Sequence, residues 1–177
     1  MIESSPIKVQ IFSDIVCPWC FIGKRRWDSA IKELVEVEVE LIWRPYQLYP
    51  GLPYEGIDRR EYLRRRYGDS AATGSAPQRI QEEAESVGIE LRYDLIDKIP
   101  NTAYSHYLLE WSLELGVQHD LAEALFQAYF CRGIDIGDTG SLINLCESIG
   151  MTARDVEEAL LSVAENVDMA TYLNLAH

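Results

Sequence analysis

The chain has 177 residues, 47% of them hydrophobic, and a formal net charge of −13. That length suits one domain, or a core domain carrying an insertion, and the acidic balance argues against a general nucleic-acid binder, which needs a basic face for phosphates. No apolar run approaches the ~20 residues that cross a bilayer, and Met1-Ile2-Glu3-Ser4-Ser5-Pro6 lacks the basic and apolar regions of a secretory signal. The expectations are therefore no nucleic acid, no membrane and a cytoplasmic location, where a close cysteine pair is more often catalytic or metal-binding than a staple.

In chain order, Ile7, Val9 and Ile11 alternate with Lys8, Gln10 and Phe12 and predict a buried strand over 7–12, broken by Ser13 and Asp14. A helix is predicted over 17–34, with Pro18 in the first turn, where its missing N–H leaves no bond unmade, and with Phe21, Trp27, Ile31 and Leu34 as its apolar stripe. Val35 to Leu41 alternates apolar with acidic residues, continues as Ile42-Trp43, and reads as a second strand suited to a sheet edge. Pro45, Pro50, Gly51 and Pro53 then make a long loop. Strand, helix and strand form a βαβ unit, which implies a parallel pair. Helices are predicted at 58–67, 77–87, 101–115, 120–131, 139–149, 153–163 and 165–175, with Gly88–Tyr93 as a weak strand candidate among them. Asn101 or Thr102 can cap the helix after Pro100, and Thr152 with Asp155 resembles a capping box.

Cys17-Pro18-Trp19-Cys20 stands where the first strand gives way to the first helix. A helix N-terminus offers unpaired N–H groups and partial positive charge, both of which stabilise a thiolate. Cys17 at that end is expected to attack a substrate disulfide, and Cys20, one turn further in and with the higher pKa, to resolve the mixed disulfide. Pro18 and Trp19 bring no cation to the pair. The bland readings are buried helix cysteines or half a zinc site. The latter would want a second Cys or His pair, whereas Cys131 and Cys146 fall on separate apolar stripes. No metal and no bound cofactor are expected beyond the redox-active Cys17–Cys20 disulfide itself.

Phe12-Ser13-Asp14-Ile15-Val16-Cys17-Pro18-Trp19-Cys20-Phe21-Ile22-Gly23-Lys24-Arg25-Arg26 resembles the active-site segment of the DsbA-like thioredoxin-fold proteins, FrnE subgroup. Trp43-Arg44-Pro45-Tyr46-Gln47-Leu48, Pro100 to His106, Leu125 to Phe130 and Asp135-Ile136-Gly137-Asp138 are similar to that subgroup as well. The resemblance implies an α/β fold: a thioredoxin-like βαβ unit with a large all-helical insertion, divided here as 1–55 and 56–177. It also implies dithiol–disulfide exchange or isomerisation centred on Cys17 and Cys20. In the family a cis-proline loop, two antiparallel strands and a last helix follow the insertion; this sequence ends at Leu173-Asn174-Leu175-Ala176-His177, where that loop would begin. The sheet is therefore expected to be incomplete: the sequence reads first as a piece of a longer protein, and otherwise the open edge could be covered by a second copy, as a homodimer, or by residues 88–93.

Partners expected are a disulfide-containing protein or a small thiol, with glutathione as co-substrate. Asn101 and Thr102 are candidate contacts for that thiol, since related glutathione-dependent isomerases use this region, and Pro18 and an exposed Trp19 are candidate contacts for substrate. The basic run Arg59 to Arg66 could meet an acidic substrate, although such runs are commonly solvated helix faces. His106 and His119 lack ligand spacing, and Trp27, Trp43 and Trp111 are expected in the core. Two other functions remain open on the sequence: a glutathione-dependent isomerase or transferase resembling the 2-hydroxychromene-2-carboxylate isomerase group, in which Ser typically replaces the first Cys, and a redox-silent binding module.

Overall fold

The computed structural model describes residues 6–34, 37–69 and 74–166. The first strand, β1 (Ile7–Ser13), leads through a short turn into α1 (Pro18–Ile31), and β2 (Val39–Pro45) returns beside β1. The two strands pair in parallel, from Ile7 opposite Val39 to Ser13 opposite Pro45. This is the expected βαβ unit, and it arises because the crossover helix buries its apolar residues against the same core as the strands. Leu34, expected on that stripe, lies beyond the end of α1 and is exposed; Phe21, Ile22 and the stem of Lys24 form the buried face instead.

The rest of the described chain is mostly helical: α2 (Arg59–Tyr67), α3 (Gln78–Glu85), α4 (Ala103–Glu114), α5 (Gln118–Arg132), α6 (Thr139–Ser148) and α7 (Ala153–Asn166). Two features differ from the sequence reading. A two-residue antiparallel pair joins β3 (Ile57–Asp58) to β4 (Lys98–Ile99), too short for periodicity to signal it. Gly88–Tyr93 is not a strand, because no neighbour runs beside it; its backbone meets α5 once, where Arg92 N–H donates to Phe130 O at 2.8 Å. The helix expected at 165–175 lies almost wholly outside the described residues.

One apolar core runs through both parts. Ile15, Phe21, Ile22 and Trp43 from the βαβ unit pack with Leu108, Leu109, Leu121, Leu125, Phe126 and Phe130 from the helices. Phe21 stacks on Phe126 with ring centroids 5.1 Å apart and on Phe130 at 6.1 Å. Burial of each such ring contributes roughly 2 kcal/mol. Trp27 and Trp111 are only half-buried. Gly133 ends α5 in the left-handed conformation, φ 65°, where a Cβ would lie 2.3 Å from Leu95 O. Only glycine lets the 92–95 turn, which carries Tyr93, seat so closely on the end of α5.

Candidate active site at the start of the first helix

Asp14 ends the first strand's run and its carbonyl accepts the Cys17 N–H at 3.0 Å, closing the turn that delivers Cys17 to the N-cap of α1. Cys17 has extended backbone angles, φ −95° and ψ 112°, as an N-cap requires. Pro18 follows in the first turn, and the Cys20 N–H donates to Cys17 O at 3.1 Å. One helical turn thus places both sulfurs together.

The two thiols are hydrogen-bonded to each other and both are free. One proton bridges the pair, so the first ionisation is easy and the second is hard. With Cys17 as donor the anion rests on Cys20, whose pKa falls to about 6 chiefly through that bond. Burial opposes the drop, the Ser13 hydroxyl and the Asp14 backbone N–H support it, and the Asp14 carboxylate works against it. The Ser13 hydroxyl is buried and otherwise unbonded, so a Cys20 thiolate is the group it can satisfy. Cys17 is pushed up by the same bond, by burial and by the neighbouring anion, while the backbone N–H groups of Cys20 and Trp19 pull it down. The sequence led us to expect the low pKa on Cys17. In the reduced pair it falls on Cys20, because the S–H···S bond outweighs the helix terminus.

Beneath the pair lies a buried polar layer, drawn from segments that resemble the family although no motif predicts their contacts with one another. Asp14 Oδ2 accepts the Leu48 N–H at 2.7 Å, and Asp14 Oδ1 stands 3.2 Å from His106 Nε2. Leu48 N–H and the Ser13 carbonyl, which accepts the Tyr46 N–H at 3.1 Å, hold the loop after β2 against the motif. Asn101 and Thr102 belong to this layer. Asn101 donates to Leu52 O at 2.8 Å and caps α4 by accepting the Ala103 N–H at 3.0 Å. The buried Thr102 hydroxyl accepts from Gln47 Nε2 at 3.3 Å. Their polar groups are thus engaged within the protein.

On the outer side Trp19 is 40% exposed, with the Arg79 guanidinium 5.7 Å above its ring. Arg59, buried, lies 4.8 Å over the Tyr93 ring. Tyr93 is raised to about 12, chiefly by burial; Arg59 draws it down and the Cys17 thiol drives it up. Tyr49 and Tyr62 meet edge to face at 5.6 Å on the same wall. Among the described residues no cluster of three or more His, Cys, Asp or Glu could hold a metal ion, and no helix is long and apolar enough to cross a membrane.

A second polar cluster lies one to two turns along α1. Lys24, almost wholly buried, bonds Asp28 and Glu123 at 2.8 Å each. His119 accepts the Trp43 indole N–H at Nδ1, 3.2 Å, so its own proton sits on Nε2 and faces Asp28 at 2.8 Å. Burial pushes the Asp28 carboxyl up, but Lys24 and His119 outweigh it and hold it below its usual value. This cluster fastens α1 to α5 and so fixes the helix whose first turn carries the thiols.

The model of the DSBA-like thioredoxin domain matches residues 8–176. The uncharacterized protein YwbO of Bacillus subtilis is 30% identical over 154 residues, covering 87% of this chain and 72% of that protein. Among solved structures, the probable DsbA oxidoreductase SCO1869 of Streptomyces coelicolor aligns with a TM-score of 0.77 and 26% identity, over 95% of this chain and 70% of its own. The cytosolic disulfide reductase DsbM of Pseudomonas aeruginosa, solved with glutathione, aligns with a TM-score of 0.63 and 15% identity, over 95% and 76%. The latter likeness is one of fold.

Proposed function

This chain belongs to the DSBA-like thioredoxin domain family, and we propose that within it the chain is a thiol–disulfide oxidoreductase in which Cys17 attacks and Cys20 resolves. The observation that carries the reading is the hydrogen-bonded thiol pair at the N-terminus of α1, one member of which is anionic above about pH 6. Moving the bridging proton across the S–H···S bond puts the charge on Cys17, where the N–H groups of Trp19 and Cys20 receive it.

The Cys17 thiolate forms a bond to one sulfur of a substrate disulfide, and the other sulfur leaves as a thiolate that takes up a proton. Cys20, as thiolate, then attacks Cys17 and expels the second substrate sulfur. The substrate gains two electrons and two protons, and the pair ends as the Cys17–Cys20 disulfide. An external thiol, for which glutathione is the proposed co-substrate, returns it to the dithiol. That assignment draws on the glutathione found with the DsbM structure. Trp19 and Pro18 would form the contact surface for substrate beside Cys17, and a cytosolic setting, like that named for DsbM, would keep the pair reduced.

The test is reduction of insulin disulfides in the presence of dithiothreitol. Cys17→Ala is expected to abolish the protein's acceleration. Cys20→Ala is expected to stall as a covalent mixed disulfide on Cys17, visible by intact mass. Acceleration that survives Cys17→Ala, or an adduct found on Cys131 or Cys146 instead, would reject the assignment.

A further inference from the structure

We propose that the Ser13 hydroxyl is a catalytic group of the resolving step: it donates to the Cys20 thiolate while Cys17 is held in the mixed disulfide, and so sets how long that covalent intermediate lasts. The inference rests on the reading of Cys17 as the attacking sulfur and Cys20 as the resolving one. Its geometry comes from the end of β1. Ser13 closes that strand opposite Pro45, and its carbonyl is taken by the Tyr46 N–H at 3.1 Å. Strand alternation puts its side chain on the face of Ile11, and Ile11 and Cys20 both pack against the apolar core. There the Ser13 hydroxyl is buried, with no hydrogen-bond partner among the described residues. A buried hydroxyl left idle is costly. Beside Cys20 it gains an acceptor when that sulfur ionises, and the interaction favours the thiolate.

Attack from Cys17 is what makes this donor matter. While both thiols are free, Cys17 supplies the principal bond to Cys20. Once Cys17 is joined to a substrate sulfur it has no proton to give, and the shared proton is left on Cys20. That proton must pass to water before Cys20 can attack Cys17, form the Cys17–Cys20 disulfide and expel the second substrate sulfur as a thiolate. The donors that remain for the Cys20 anion are the Ser13 hydroxyl and the Asp14 backbone N–H. Against them stand burial and the Asp14 carboxylate, which accepts the Leu48 N–H and faces His106 of α4 at 3.2 Å. Tyr93, with Arg59 at its ring, interacts with Cys17, whose own anion takes the N–H groups of Trp19 and Cys20. Ser13 therefore acts on the second step of the exchange and not on the first.

The experiment is rapid mixing of the reduced full chain with a limiting amount of dithiobis(nitrobenzoate), across a range of pH. The first coloured thiolate released reports attack by Cys17, and the second reports resolution by Cys20. Cys20→Ala is expected to release the first and stop. Ser13→Ala should move the pH midpoint of the second release upward by about one pH unit. Below that midpoint the second release should be about threefold slower, and on the high-pH plateau about threefold faster, because a more basic thiolate is scarcer but a better nucleophile. The first release should not slow at any pH. Ser13→Thr keeps the hydroxyl and should return the wild-type profile; should it fail to fold, the Ser13→Ala profile decides. The inference is overturned by a second release with the wild-type pH profile in Ser13→Ala, by one that slows in step with the first at every pH, or by a folded Ser13→Thr that behaves as Ser13→Ala. Each of these leaves the cysteines in their roles. A Cys20→Ala chain that still releases both thiolates overturns the proposed function, and the inference with it.

Discussion

On the proposed reading, the chemistry of the cysteine pair turns on a single shared proton. Cys17 and Cys20 lie close enough to bond, and that bond, more than the helix terminus, decides which sulfur is anionic. The rate of alkylation of the pair by iodoacetamide should therefore rise with pH around a midpoint near 6 and then level off, because the proton is lost there and not near 9. In Cys17→Ala the principal donor to Cys20 is gone, while burial and the Asp14 carboxylate still oppose charge, so the Cys20 midpoint should move upward. Quantifying carbamidomethyl-Cys20 by mass spectrometry from pH 5 to 9 checks both; a midpoint unmoved in Cys17→Ala would show that Cys17 is not the donor. The motif itself was legible in the sequence, because Cys-Pro-Trp-Cys is local and its helix start is announced by Pro18. The direction of its polarity was not, because it depends on the S–H···S bond, on burial and on how the Ser13–Asp14 turn folds back onto Cys20, none of which a residue pattern specifies. Asp14 with His106, and Arg59 with Tyr93, are 92 and 34 positions apart in the chain, and no spacing rule joins residues across such gaps.

The elements that hold the site are fixed as much by polar side chains as by apolar packing. β2 has β1 on one side, and on the other its Trp43 is met by a side chain: Gln118 Oε1 accepts the Trp43 N–H at 2.8 Å and Gln118 Nε2 donates to Trp43 O at 3.0 Å. The amide thus completes the strand as a neighbouring backbone would, and its Nε2 also donates to Leu109 O at 3.0 Å, tying in α4. Gln118→Met keeps the volume but leaves the buried Trp43 N–H and C=O unbonded, which should cost about 2 kcal/mol or more. Urea unfolding should show a lower midpoint at unchanged slope; a midpoint equal to wild type would mean that water or a shifted chain satisfies Trp43 equally well. Most helices were readable because a 3.6-residue apolar period survives in the sequence. Gln118 was not: a polar residue at the first position of a helix reads as solvent-facing unless the strand it caps is already known. The 88–93 segment failed as a strand for the complementary reason, that pattern alone does not supply a partner.

At the scale of the whole molecule, the side of β1 away from β2 is the surface to test for self-association. Ile7 N–H bonds Glu38 O and Ser13 O accepts the Tyr46 N–H, so the odd-numbered residues of β1 spend their backbone groups on β2. By the alternation of a parallel ladder, the N–H and C=O of Lys8, Gln10 and Phe12 face the other edge, where no strand lies among the described residues. Phe12, 56% exposed, and Ile7, 57% exposed, add apolar surface to it. An unpaired, partly apolar edge recruits further strands. Sedimentation velocity on the 177-residue chain should accordingly show association that grows with concentration. Gln10→Pro removes one outward N–H without touching the β1–β2 ladder, since proline is tolerated where the missing donor faces away from the partner strand. It should shift the distribution toward monomer while leaving the alkylation midpoint of the thiols in place, because β1 would still deliver Asp14 and Cys17 to α1. Association equal to wild type in Gln10→Pro would assign self-contact to another surface. A displaced thiol midpoint would mean instead that the β1 edge and the redox pair are mechanically joined, so that covering the edge tunes the chemistry at its end.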